Sequence, residues 1–362
     1  MNVRHQWTPV GPVRAATLAL MAIGGLAGPA AAQGFAGMGT DAEGYALPQP
    51  GVAFSFPADH GPHPAFRIEW WYITANLEGP EGRAYGVQWT LFRNALAPGG
   101  TDAPGWAATQ GWMGHAALTT PERHFVTERI ARGGIGQAGV ESDPFEAWID
   151  DWGLSGPSLS DVRMTATGPD FAYDLALATD RPFVPQGDNG YSVKSEAGQA
   201  SYYYSQPFYQ VEGTLTLPDG KVQVTGDAWL DREWSSQPLG DDQTGWDWFS
   251  LHLDGGEKLM GYRLRDASGD DFFVSTWIAA DGTPTPYEDG HLRGTPLERT
   301  EVAGREIPTH WSLALPERDL DIEVRAINSA AWMDTSVAYW EGPVTVTGSH
   351  DGIGYLEMTG YE

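Results

Sequence analysis

Gly226 to Ser250 reads GDAWLDREWSSQPLGDDQTGWDWFS, and its pattern decides the fold. Trp229, Trp234, Trp246 and Trp248 fall within it, out of 16 tryptophans in the chain. Asp231, Glu233 and Asp247 are interleaved with them. Aromatic residues alternating with polar ones, broken by glycine and aspartate, make a strand pattern. A carboxyl group walled by indoles is desolvated, which raises its pKa. Such a group serves as a general acid or as a polar anchor in an apolar pocket. The plainer alternative is a tryptophan-rich β core with carboxylates on its solvent faces.

Working outward, the same texture recurs along the chain. Short alternating or aromatic runs occupy residues 66–77, 84–92, 210–217, 221–229, 246–253, 258–264, 272–278, 320–327 and 337–346. Turns with a physical basis separate them, such as Pro218-Asp219-Gly220, Asp254-Gly255-Gly256 and Ala280-Asp281-Gly282. Helical periodicity is hard to find. The 46 glycines and 26 prolines fit a turn-rich β chain, because the aromatic content is too high for disorder. This spacing predicts an all-β, antiparallel protein of barrels or sandwiches. Glu69-Trp70-Trp71-Tyr72 and Trp246-Asp247-Trp248-Phe249 open two similar halves, so two β units in tandem are expected.

The chain divides in four on this reading. Residues 1–32 carry Arg4 and Arg14, then an apolar run Ala15 to Gly28, then Ala30-Ala31-Ala32. That is a signal peptide cleaved near Ala32, for release into the periplasm or beyond. Residues 33–52 are small and polar, a flexible lead-in. The first β domain spans 53–222 and the second 223–362, with the join near 218–228. Thr179 to Gly198, rich in proline and glycine, reads as a long loop or lid within the first domain.

Composition excludes several functions. The formal net charge is −27, and removing Arg4 and Arg14 makes it more acidic still. Nucleic acid and anionic membrane surfaces are poor partners for such a chain. The sequence has no cysteine, so it has no disulfide and no thiol nucleophile. No later segment reaches transmembrane length. There is no G-x-S-x-G nucleophile elbow. His60 and His63 sit in a proline-broken loop, a poor metal site, so no metal and no cofactor are expected.

Several stretches carry a resemblance to a known family. They are HPAFRIEWWYITANL at 63–77, GHAALT at 114–119, YYYSQP at 202–207 and GDAWLDREWSSQ at 226–237. GWDWFSLHL at 245–253, YWEGPVTVTG at 339–348 and GYLEMTGY at 354–361 complete the set. The chain resembles the carotenoid 1,2-hydratase and AttH-like lipocalin family, from about Phe54 to Tyr361. The resemblance implies two tandem lipocalin-like antiparallel β-barrels. It does not imply one function, since hydratases and pericyclase-type cyclases share the architecture. A Tyr-x-Asp motif of the carotenoid hydratases matches Trp229-Leu230-Asp231, so Asp231 carries over as the proton donor. Their His-x-Trp pair falls near Tyr202-Tyr203-Tyr204, where neither residue type is present.

The reading that follows is an exported protein binding a hydrophobic, isoprenoid or lipid-like small molecule. Acid-assisted hydration or isomerisation of that molecule is the expected chemistry, which would make it a hydro-lyase. A carrier without turnover and a glycan-binding or glycan-cleaving protein are the alternatives. Asp231, Trp229, Tyr202 and Tyr204 are the candidate catalytic residues. Trp70, Tyr72, Trp234, Trp246 and Trp248 are the candidate ligand-binding residues. Strand alternation puts Trp246 and Trp248 on one face and Asp247 on the other, so Asp247 is expected outside if the tryptophans line a lumen. Arg232 and Arg263 are the arginines that could instead pin Asp231 as a structural ion pair.

Overall fold

The computed structural model describes residues 42–99, 105–237, 239–240 and 242–361. The signal peptide and the first part of the lead-in lie outside the described residues. From residue 42 the lead-in is tied down, where sequence suggested flexibility. The Tyr45 hydroxyl donates to the Ala95 carbonyl at 3.0 Å, and the Gln49 amide donates to the Tyr202 hydroxyl at 2.9 Å.

The chain forms two curled antiparallel sheets. The first holds β1 (Ile68–Glu78), β2 (Ala84–Ala95), β3 (Gln110–Thr119), β4 (His124–Arg132), β5 (Ala138–Ser142), β6 (Phe145–Ile149) and β7 (Trp152–Ser158). It continues with β8 (Asp161–Thr167), β9 (Ala172–Ala178), the short β10 (Val184–Pro185) and β11 (Tyr191–Val193), then β12 (Ala200–Leu217) and β13 (Gly220–Ser235). The second holds β14 (Gln243–Leu253), β15 (Lys258–Asp266), β16 (Phe272–Ile278), β17 (Pro284–Tyr287) and β18 (Arg293–Val302). It ends with β19 (Arg305–Leu315), β20 (Leu320–Ala326), β21 (Trp332–Met333), β22 (Tyr339–Gly348) and β23 (Gly352–Met358).

The sheets divide the chain later than the join expected near 218–228. β13 pairs along its length with β12, and from Thr225 onward with β1, so it belongs whole to the first sheet. The crossing lies between Ser235 and Gln243. The Thr179–Gly198 loop is partly ordered, because β10 and β11 pair with β12. Among the described residues no helix is long and apolar enough to cross a membrane.

Alternation within the central strands explains the packing. β1 is buried at nearly every position, with Trp70 half-buried. A strand buried on both faces must serve two cores. Trp71, Ile73 and Ala75 point into the first barrel, against Trp89, Leu91 and Trp152. Phe249, Leu251 and Leu253 of β14 point into the second barrel, against Trp311 and Trp340. Both interiors are therefore filled. The opposite faces meet each other: Tyr72, Tyr203 and Trp229 of the first sheet pack on Trp248, Met260, Tyr262 and Tyr355 of the second. Two barrels thus lie back to back across an aromatic seam.

One glycine sets how closely they approach. A Cβ at Gly86 of β2 would lie 2.5 Å from the Tyr355 hydroxyl and 2.6 Å from Pro343 Cγ. Those contacts are too short for real atoms, so a side chain there wedges the seam. Gly86→Ala is expected to destabilise the protein by about 1–3 kcal/mol through overpacking. The check is urea unfolding, where the midpoint falls at unchanged slope. An unchanged midpoint would mean the barrels are not held this close.

Candidate active site in the seam

A cavity of about 80 Å³ opens within the seam. From the first sheet it is lined by Trp70 and Tyr72 of β1, Phe92 of β2, Tyr203 of β12, and Asp231 and Glu233 of β13. From the second come Trp246 and Trp248 of β14, Tyr262 and Leu264 of β15, and Glu357 of β23. Lys194, from the segment after β11, closes one side. Ligand pockets for whole drug-sized molecules run to about 300–1,000 Å³. This void admits a small end group unless side chains move.

Register places Asp231 in the wall. It sits opposite Tyr72 on β1 and Ser205 on β12. The Tyr203 hydroxyl donates to Asp231 Oδ2 at 2.6 Å. The Ser205 hydroxyl donates to Oδ1 at 2.5 Å, and Trp229 Nε1 donates to the same oxygen at 2.6 Å. Trp248 Nε1 in turn donates to the Tyr203 hydroxyl at 3.2 Å. Burial pushes the Asp231 carboxyl up to about 7, and the nearby Glu233 charge adds to it; the three hydrogen bonds only partly oppose this.

Neither candidate arginine reaches Asp231. Arg232 is its chain neighbour, so it projects to the opposite face. There Arg232 and Arg93 both bind Glu69, which is wholly buried. Burial raises the Glu69 carboxyl, but the two arginines hold it well below the ordinary range. His63 stacks on Trp234 at 3.9 Å and also bonds Glu69. Arg263 binds Asp271 and approaches Asp247 at 3.6 Å. These arginines thus pair with Glu69, Asp271 and Asp247 and leave Asp231 without a guanidinium partner.

Two further polar groups face it. Lys194 Nζ lies 2.8 Å from Glu233 Oε1, and over the Tyr262 ring at 4.1 Å. Burial alone lowers the ammonium pKa, and the Glu233 charge more than restores it. Glu357 accepts a hydrogen bond from Trp246 Nε1 at 2.6 Å. Burial lifts its carboxyl to about 7, aided by Asp231 and Glu233.

The structure brings together Asp231, Trp70, Tyr72, Trp246 and Trp248 at the cavity, with Trp229 supporting the acid. It separates three other candidates. Tyr202, Tyr204 and Trp234 form a different cluster with Phe54 and Phe66, on the face that carries Arg232. Tyr202 bonds the lead-in at Gln49, and Tyr204 bonds His60 Nδ1 at 2.7 Å. The tyrosine that reaches the acid is Tyr203, one residue out of phase with both. Asp247 corrects the lumen picture. The tryptophans beside it line the outside of a barrel, and Asp247 lies buried inside, bonded to Arg265 and Tyr361. Sequence reasoning also missed Lys194, Glu233 and Glu357 as wall residues. Glu233 was legible by period two from Asp231, whereas Glu357 depends on the second barrel's register. Among the described residues no group of histidines and acids is arranged to hold a metal.

Comparisons with known proteins fit this geometry. The profile of the AttH-like family matches residues 47–361. A Nitrosomonas europaea protein described as AttH is 33% identical, with a TM-score of 0.79 over 88% of this chain and 100% of that one. Kievitone hydratase from Nectria haematococca shares the fold at 16% identity, with a TM-score of 0.66 over 90% of this chain and 98% of that one. CghA in complex with Sch210972 shares it at 13% identity and a TM-score of 0.55, over 89% and 98% respectively. Among curated proteins no significant match is found. The match of the family profile over nearly all of the described chain, with a 33% identical relative covered along its whole length, places this protein in the AttH-like family.

Proposed function

We propose that this protein binds the alkene-bearing end of a hydrophobic small molecule in the seam and adds water to it, or isomerises it, by acid catalysis. The observation that carries the reading is Asp231: a buried carboxyl held by neutral donors, free of arginine, on an aromatic wall. Such a group keeps its proton near neutral pH and gives it to a weakly basic carbon. The faces of Trp70, Trp246 and Trp248 offer cation–π stabilisation to the carbocation that forms. Trp229 and Tyr203 orient the acid, and Trp70, Tyr72, Trp246 and Trp248 bind the ligand.

Kievitone hydratase is by name a hydratase, and CghA carries a bound small molecule; both agree with an apolar organic substrate. Filled barrel interiors support turnover at the seam over storage in a lumen. Tryptophans facing each other across a narrow seam give a sugar ring no open platform. Export belongs to the same proposal. The mature protein is expected to begin near Gln33 in the periplasmic fraction, and an intact Met1 on membranes would contradict it.

Asp231→Asn tests the acid directly. Asn keeps the shape and the acceptor for Trp229 but carries no acidic proton. Turnover of a prenylated phenol is expected to fall by about 10²-fold or more, while binding read by tryptophan quenching survives. Turnover at the wild-type rate would show that Asp231 is not the acid.

The pH dependence has a definite sign. The ordinary value of 3.8 is raised to about 7, so the folded protein holds a proton the unfolded chain has released. This contribution to stability falls as pH rises from about 4 to about 7 and is flat above that. Asp231→Asn is therefore expected to be more stable than wild type at pH 8, on the order of 1–3 kcal/mol. Turnover is expected to fall roughly tenfold per pH unit above about 7. Thermal unfolding and a pH–rate profile check both. A mutant less stable at pH 8 would mean that the carboxylate holds the fold.

A further inference from the structure

Asp231 meets one end of a ligand in the seam, and an ion pair stands beside it. Glu233 follows Asp231 by two residues on β13, so the two side chains leave the same face about 6–7 Å apart along the strand. Lys194 comes from the segment between β11 and β12, and its ammonium lies 2.8 Å from Glu233 Oε1. Both side chains are buried, and both line the cavity. The wall thus carries an acid at one point and a charged pair at another.

The lysine is fixed from backbone to tip. Its amide donates to the Gln199 carbonyl at 2.7 Å, and its own carbonyl accepts from Gln243 Nε2 at 2.8 Å. The ammonium lies 4.1 Å from the centre of the Tyr262 ring and 5.0 Å from that of Tyr203. Tyr262 is held in turn, through its hydroxyl, by Ser192 at 2.9 Å and the Val193 carbonyl at 2.7 Å. An ammonium has three donors, and Glu233 takes up one. Arg93 also lines the cavity, but Glu69, Gln110 and the carbonyls of His63 and Phe66 occupy its guanidinium. A buried ion pair adds little stability over packed apolar side chains, since desolvating two charges offsets their attraction. The place of this pair in an aromatic wall is explained by a ligand group that uses it.

The pair selects among groups by charge and by hydrogen-bond sense. A carboxylate would meet the Glu233 charge, and an ammonium would meet that of Lys194. A carbonyl accepts from the lysine and offers Glu233 nothing. A single hydroxyl accepts from Lys194 and donates to Glu233, which satisfies both. We infer that Lys194 and Glu233 bind a hydroxyl of the substrate, which makes the substrate class an amphipathic alkene with its hydroxyl about 6–7 Å from the double bond. This role rests on the seam as the proposed ligand site, and not on the chemistry at Asp231. Lys194 and Glu233 set which alkene binds, and Asp231 acts on it.

The test is binding of two isosteres to the mature chain, read by tryptophan quenching. In 6-methylhept-5-en-1-ol four methylenes separate the alkene from the hydroxyl, and 2-methyloct-2-ene has a methyl in place of that hydroxyl. An apolar cavity alone favours the hydrocarbon. Wild type is expected to bind the alcohol tighter by about tenfold or more, the worth of one hydrogen bond to a charged group. Lys194→Met combined with Glu233→Gln removes both charges, so none is left buried and bare. That double variant is expected to bind the hydrocarbon at least as well as wild type and to lose the preference for the alcohol. Equal or tighter binding of the hydrocarbon by wild type would overturn the assignment, and so would a preference that survives in the double variant. If the double variant does not fold, the two ligands on wild type decide alone. A hydrocarbon bound as tightly as the alcohol leaves the seam reading standing, whereas binding of neither removes both. Wild-type turnover in Asp231→Asn leaves the hydroxyl preference standing.

Discussion

The structure depends on strands that are buried on both faces. In β1, β13 and β14 the period of two sends alternate side chains into a barrel core and into the seam. Everything polar must then be satisfied on one face or the other, without help from bulk water. The result is a sorting of charge by parity. Glu69, Arg93 and Arg232 fall on the inward side and neutralise each other. Asp231 falls one residue away on the seam side, among hydroxyls and an indole.

That sorting sets which buried acids keep their protons. A buried carboxylate held between two arginines becomes a structural ion pair, as Glu69 does in the first barrel. The same group among neutral donors keeps its proton, as Asp231 and Glu357 do. The fold thus spends stability to hold neutral acids at an aromatic wall, a common feature of acid–base sites. The two sheets contribute one such acid each, so the back-to-back packing is part of the site rather than a linker between domains.

Much of this was legible in the sequence. The all-β class followed from alternation and turn residues, and the burial of Asp231 among indoles from its tryptophan neighbours. What misled was the assumption that tryptophans line a lumen. Period two tells which residues share a face, but not which face is the core, and here both are buried. That ambiguity turned Asp247 inside out and put Tyr202 and Tyr204 in place of Tyr203. The late crossing after Ser235 was hidden because β13 alternates without a break through Gly226. Glu357 and Lys194 enter through pairing between distant segments, which no local pattern reveals.

The central claim is that ligands react in the seam and not inside a barrel. Crystals soaked with a brominated prenyl alcohol test this most directly, because bromine is located by its anomalous signal. A peak between Asp231 and Trp248 is expected, with the alkene end against the aromatic wall. A peak among the residues that fill either barrel, with the seam unchanged, would contradict it.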